Sequence, residues 1–144
     1  MKIIGFKDTV KNIEKLAVGV DEAVDMAVRK TAITIMNDSV ASIKETSHGR
    51  SYKKTANVTH IASKEGDAPN SDEGRLIGSI DMSHSKGQKI AWVGTGVDYG
   101  AILELAKNRP WLMPSVKRNI VKFDKFVISS MKQIIKKAHR ARSS

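Results

Sequence analysis

The stretch SIDMSHSKGQKIAWV, residues 79–93, decides the fold class. Ser85-Lys86-Gly87-Gln88 has the composition of a turn, and residues 89–93 read as the strand returning from it. Leu76-Ile77 and residues 79–82 supply the outgoing strand. On the C-terminal side, Gly94-Thr95-Gly96 ends the hairpin. Residues 97–106 then predict a short helix carrying Tyr99, Ile102, Leu103 and Leu105, stopped by Asn108-Arg109-Pro110. Pro114 fits the first turn of a last helix, where its missing N–H costs nothing. Val116, Ile120, Phe123, Val127, Met131, Ile134 and Ala138 mark one face of that helix over about six turns.

Working back toward the N-terminus, Asp8 reads as the N-cap of a short helix with Val10, Ile13, Leu16 and Ala17 on one face and Gly19 after its end. Asp21 can cap a second, longer helix to about Glu45, with Val24, Val28, Ala32, Ile35, Met36, Val40 and Ile43 at three- and four-residue steps. Residues 46–78 break the pattern, being rich in Ser, Thr, Asn, Gly and charge. A loop of this length is uncommon inside a compact domain. Residues 47–74 hold few large apolar side chains, chiefly Tyr52, Val58 and Ile61. They are expected to be mobile in a free subunit and to order on assembly. The expected fold is α+β in one domain, 1–144: a long N-terminal helix, a small antiparallel hairpin with an extended loop, a short helix and a long C-terminal helix.

The chain has 144 residues, net charge +10 and no cysteine. Disulfides, thiolate nucleophiles and cysteine zinc sites are thereby excluded, and the composition suits a reducing cytoplasm. No signal peptide is expected, and no run is apolar enough to span a bilayer. The charge is unevenly placed: residues 115–144 carry nine basic side chains and one acidic, Asp124. Lys122, Lys125, Lys132 and Lys136 recur at helical steps and form a basic stripe. Such a stripe suits phosphate contacts independent of sequence, an acidic protein surface, or a solvated helix face.

No motif for chemistry survives inspection. Gly94-Thr95-Gly96 sits where a dinucleotide loop would, but position 99 is Tyr rather than the third glycine. Ser-x-x-Lys occurs at Ser51, Ser83 and Ser129 without the partner motifs of an acylating serine. His48, His60, His84 and His139 are scattered and lack zinc spacing. Glu65, Asp67, Asp72 and Glu73 lack the register of a calcium loop. Glu104 stands in an apolar stretch. It pairs with Arg109 or with a neighbouring subunit, or it is the polar edge of a short helix. No enzyme activity, metal or cofactor is expected.

The segment 49–114 carries an ordered series: Gly49, Tyr52 and Lys53; His60, Ala62 and Ser63; Gly66, Asp67 and Pro69; Gly74, Leu76, Ser79 and Ile80; Tyr99, Leu103 and Glu104; Arg109, Pro110, Trp111 and Pro114. In that order and spacing it resembles the head–tail joining, or tail-completion, proteins in the neck of tailed bacteriophages and prophages. Two places depart from the pattern. Lys64-Glu65 replaces a segment that usually holds a proline, and Glu104-Leu105-Ala106-Lys107 stands where the family often has Glu-Phe-Gly-Thr. The resemblance implies a structural virion protein at the head–tail interface, assembled in the host cytoplasm as a ring of identical subunits. Its implied partners are other neck and tail proteins, with non-specific contact to packaged DNA. Tyr52, His60, Pro69, Leu76, Tyr99, Glu104, Arg109 and Trp111 become candidates for subunit or partner contacts. The alternative is a small basic nucleic-acid-binding protein.

Overall fold

The computed structural model describes residues 6–45 and 49–142. The chain is α+β. In order it forms α1 (Phe6–Lys44), β1 (Ser51–Thr55), β2 (Val58–Ile61), α2 (Arg75–Ser79), β3 (Ile80–Ser85), β4 (Ile90–Thr95), α3 (Asp98–Leu105), α4 (Met113–Ile120) and α5 (Phe123–Arg142). β1 pairs with β2 and β3 with β4, each as a separate antiparallel two-stranded sheet.

The two N-terminal helices expected from Asp8 and Asp21 are one helix. Asp8 lies inside α1 rather than capping it. Gly19 does not end it either, although a mid-helix glycine costs about 1 kcal/mol relative to alanine. α5 passes beside it, and a Cβ built on Gly19 would make an ordinary van der Waals contact of 3.5 Å with Ile134 Cγ2. Asp21 is no cap, and its carboxylate instead meets Lys89 Nζ at 2.6 Å.

Of the stripe expected on α1, Ala32, Ile35 and Ile43 are buried and Met36 and Val40 pack against the core, while Val24 and Val28 are only partly covered. Ala23, Ala27, Thr31, Ile35, Ser39 and Ile43 are buried at successive four-residue steps, with Ala32 beside them. Below Ile35 these residues are small, and small residues let a second helix approach closely. α5, α4, β3 and β4 all pack against α1. A search weighted toward large apolar side chains passes over Ala23, Ala27, Thr31 and Ser39.

The last helix is interrupted. Lys122 N–H bonds to Asn119 O at 3.0 Å in a tight turn, and the next helix begins with Phe126 N–H on Lys122 O. Asn119 is a weak helix former whose amide competes for nearby carbonyls. Here it donates to Ser115 O at 2.9 Å and Asp38 Oδ2 at 2.8 Å. The expected core face is corrected accordingly. Ser115, Asn119 and Ser130 are buried, while Ile120 is 53% exposed.

The hairpin at 79–93 is present, with Ile80 opposite Thr95 and Ser85 opposite Ile90. Its ladder runs on through Gly94-Thr95 instead of ending there. Leu76-Ile77 belongs to helix α2, not to a strand, entered through Gly74 at a positive φ of 73°. The segment expected as a loop holds a hairpin as well, β1–β2, whose residues are almost all exposed. A compact core lies at the C-terminal end of α1, where Ile43, Leu76, Ile80 and Trp111 meet.

A helix of 39 residues is about 58 Å long. A compact domain of this chain length is only about 37 Å across. About the first third of α1 therefore projects past the core, with the end of α5 along it, as a two-helix arm.

Candidate functional site

Among the expected contact residues, several belong to the interior. Trp111 is 3% exposed, and its indole N–H donates to Gly100 O at 3.0 Å. Leu76 and Pro69 are buried too. These three shape the core and are not available to a partner in this conformation.

Within the subunit, Glu104 does not pair with Arg109 and is more than the polar edge of a helix. Its carboxylate turns back on its own chain. Oε2 accepts the N–H groups of Trp111 (2.6 Å) and Leu112 (2.9 Å), and Oε1 accepts that of Met113 (2.9 Å). Leu112 flanks α4 and offers no side-chain cap of its own. The glutamate thus caps α4 from a distance, satisfying N–H groups that a helix start leaves without partners and placing negative charge at the positive end of the helix. Arg109 points elsewhere and reaches only the carbonyls of Lys107 and Asn108, at 3.4 and 3.5 Å.

Tyr52 and His60 face each other across β1–β2, ring centroids 5.4 Å apart in an edge-on arrangement. The hairpin has no core beneath it, and an isolated two-stranded hairpin is marginal in water. Polar ties hold it to residues 70–73. Lys54 Nζ meets Asp72 at 2.7 Å and Glu73 at 3.0 Å, His60 Nδ1 lies 3.5 Å from Asp72, and Asn70 Nδ2 donates to Ile61 O at 2.6 Å. The hydrogen bonds to Asp72 and then Glu73 raise Lys54 above its ordinary amine range. The bond from Lys54 lowers Asp72 below the usual carboxylate range. At the hairpin base, a Cβ on Gly49 would run into the Ala62 carbonyl. Glycine is needed there so that the two backbones can touch.

Tyr99 is 37% exposed and stays a candidate contact. Lys122, Lys125, Lys132 and Lys136 all lie exposed on α4–α5. Lys122 is partly engaged, donating to Asn119 Oδ1 at 2.8 Å. Among the described residues no three His, Asp or Glu side chains converge as a metal site. No helix of the described residues is long and apolar enough to cross a membrane.

The arm is the feature that residue-by-residue reasoning missed. Ile13, Leu16 and Val18 are 57–67% exposed on α1, and Ile128 and Ile135 are about half exposed on α5. Leu16 and Gly19 face Met131, Ile134 and Ala138 across a shallow apolar groove of about 320 Å³. A second apolar area lies on the outer face of β3–β4, where Trp92 is 55% exposed opposite Ser83. On α3, Ile102 and Leu105 are exposed as well. The chain exposes 10582 Å² in all, against about 7,300 Å² expected for a compact monomer of its mass. Three apolar areas on so open a surface are more than single exposed side chains would give.

No family model, curated protein or solved structure matches this chain.

Proposed function

We propose that this chain is a structural protein of a tailed-phage neck, acting as one subunit of a homo-oligomeric ring that completes the tail or joins it to the head. The observation that supports assembly most directly is the arm, whose apolar side chains a single copy leaves in water. Burying such surface against neighbouring copies stabilises by roughly 25 cal/mol per Å² before the costs of association. Apolar areas on the arm, on β3–β4 and on α3 suit heterologous contacts, in which different faces of successive copies meet and close by rotation. The neck assignment itself rests on the ordered residues between Gly49 and Pro114. Other neck and tail proteins are the proposed partners, and the virion is the proposed location.

The second reading, a nucleic-acid-binding module, is favoured by the exposed lysines of α5. Mass measurement by light scattering, particle imaging and a DNA mobility-shift assay across a salt series separate the two. The neck reading expects a ring and restoration of tail joining when the chain is supplied to tails lacking it. A monomer that binds duplex DNA with a steep salt dependence, and does not support joining, overturns it.

A further inference from the structure

Where α1, the β3–β4 turn and α5 meet at the root of the arm, the surface folds into a cleft of about 520 Å³. Arg29 and Lys30 enter it from α1, His84 and Lys86 from the hairpin, and Ser130 from α5. Three cations of this chain lie on carboxylates among the described residues: Lys89 on Asp21, Lys54 on Asp72 and Arg118 on Asp38. Arg29 and Lys86 do not pair with any described carboxylate. The acid lining the cleft, Asp25, is engaged, with Oδ1 3.1 Å from His84 Nε2 and 3.4 Å from Gly87 N–H. Lys30 Nζ is held 4.7 Å over the Phe126 ring. Like charges gathered in a concave site repel one another and draw in an anion.

A second observation points the same way. Ser130 is 4% exposed and lines the cleft, yet its hydroxyl makes no hydrogen bond among the described residues. The fully enclosed hydroxyls without a partner among the described residues are those of Thr31 and Ser39; that of Ser130 opens to the cleft, where it can donate to an acceptor. An anion with several acceptor oxygens fits both needs. It can take the Arg29 fork on two oxygens, a point charge from Lys86, and the Ser130 O–H.

We infer that this cleft binds a phosphate group, presented either by a free phosphate compound or by a nucleic-acid backbone. The site is independent of the assembly reading and is separate from the lysines on the outer side of α5. Calorimetric titration of the full chain at fixed ionic strength, with inorganic phosphate and with pyrophosphate, tests it. Saturable binding is expected. R29Q/K86Q should weaken it about tenfold for each charge-assisted bond lost. Arg29 and Lys86 are exposed, so this variant should keep its melting curve. S130A should weaken binding by a smaller factor, also with a normal melt. K125Q/K132Q should leave it unchanged. A short DNA duplex distinguishes the sources: binding that R29Q/K86Q weakens and pyrophosphate competes away identifies a backbone phosphate, and its absence identifies a free one. No saturable binding of phosphate or pyrophosphate overturns the inference. So does unchanged binding in R29Q/K86Q, or an equal loss in K125Q/K132Q, which would indicate a diffuse field instead of a site.

Discussion

Removing the Glu104 carboxylate tests the structure at its most specific point. In Glu104→Ala the N–H groups of Trp111, Leu112 and Met113 lose their acceptor together. Losing a helix cap costs about 0.5–2 kcal/mol. Leaving part-buried donors unsatisfied adds about 1–3 kcal/mol. Water reaches the exposed Met113 N–H and offsets part of this, so a total of about 2–4 kcal/mol is expected. For a chain of this size that lowers the melting temperature by roughly 5–15 °C. Glu104→Gln keeps one acceptor oxygen and loses the charge at the helix start, and should cost about 1–2 kcal/mol. Arg109→Gln should fall within about 0.5 kcal/mol of the parent. A double-mutant cycle between positions 104 and 109, read by urea unfolding, should show no coupling beyond about 0.5 kcal/mol. A near-neutral Glu104→Ala, or a strong coupling to Arg109, would refute the capping role.

Four further outcomes are expected from the same geometry. Gly49→Ala should open the base of the β1–β2 hairpin, seen as faster hydrogen exchange in residues 51–61, while the core stays protected. Lys54→Met should move the Asp72 carboxyl titration upward, measured by NMR. The tether involving Asp72 is at full strength above the unfolded carboxylate value of about 3.9 and is lost as pH falls through the lowered folded value; for Lys54, whose folded value is raised, the loss comes as pH rises through it. I13D/L16D should leave the helix content of the subunit intact and abolish the assembled mass in light scattering, and an unchanged mass removes the arm from the proposed ring. K125Q/K132Q should barely alter the melt but reduce tail joining, more at low salt than at high salt because screening already removes the attraction there; unchanged joining at every salt leaves those lysines as a solvated face.

The fold class was legible because the hairpin at 79–93 has strong turn chemistry between β-favouring residues, and because Pro110 and Pro114 punctuate the helices on its C-terminal side. Gly19 and Asp21 misled, since local stop and start signals yield to a helix held by packing along its length. The burial stripe on α1 was legible in part: Ala32, Ile35 and Ile43 follow the apolar period, whereas Ala23, Ala27 and Ser39 are small and hydrophobic periodicity does not register them. β1–β2 was illegible because its strands bury almost nothing, so SYKKT and VTHI carry no inward face. Of the candidate contacts, Tyr52 and Tyr99 are exposed as a contact requires. Trp111, Leu76 and Pro69 are buried in the subunit, and Glu104 is a cap: residue types in order along a chain do not say which side chains turn inward. The cleft at Arg29 and Lys86 joins residues far apart in the chain, and only the fold brings them together.

The projecting third of α1 also acts as a lever. Over about 20 Å of helix, about one and a half degrees of tilt at the root displaces the tip by about half an ångström, and a gap of that size already forfeits about a quarter of a van der Waals contact. Contacts made at the tip therefore demand angular stiffness at the base. The small buried residues Ala23, Ala27, Thr31 and Ser39 on α1, backed by the Asp38–Asn119–Ser115 hydrogen bonds, supply it: small side chains have few rotamers through which to yield. An enlarging substitution among them, such as Ala27→Leu, would act as a wedge, and its effect would be read at the far end of the arm.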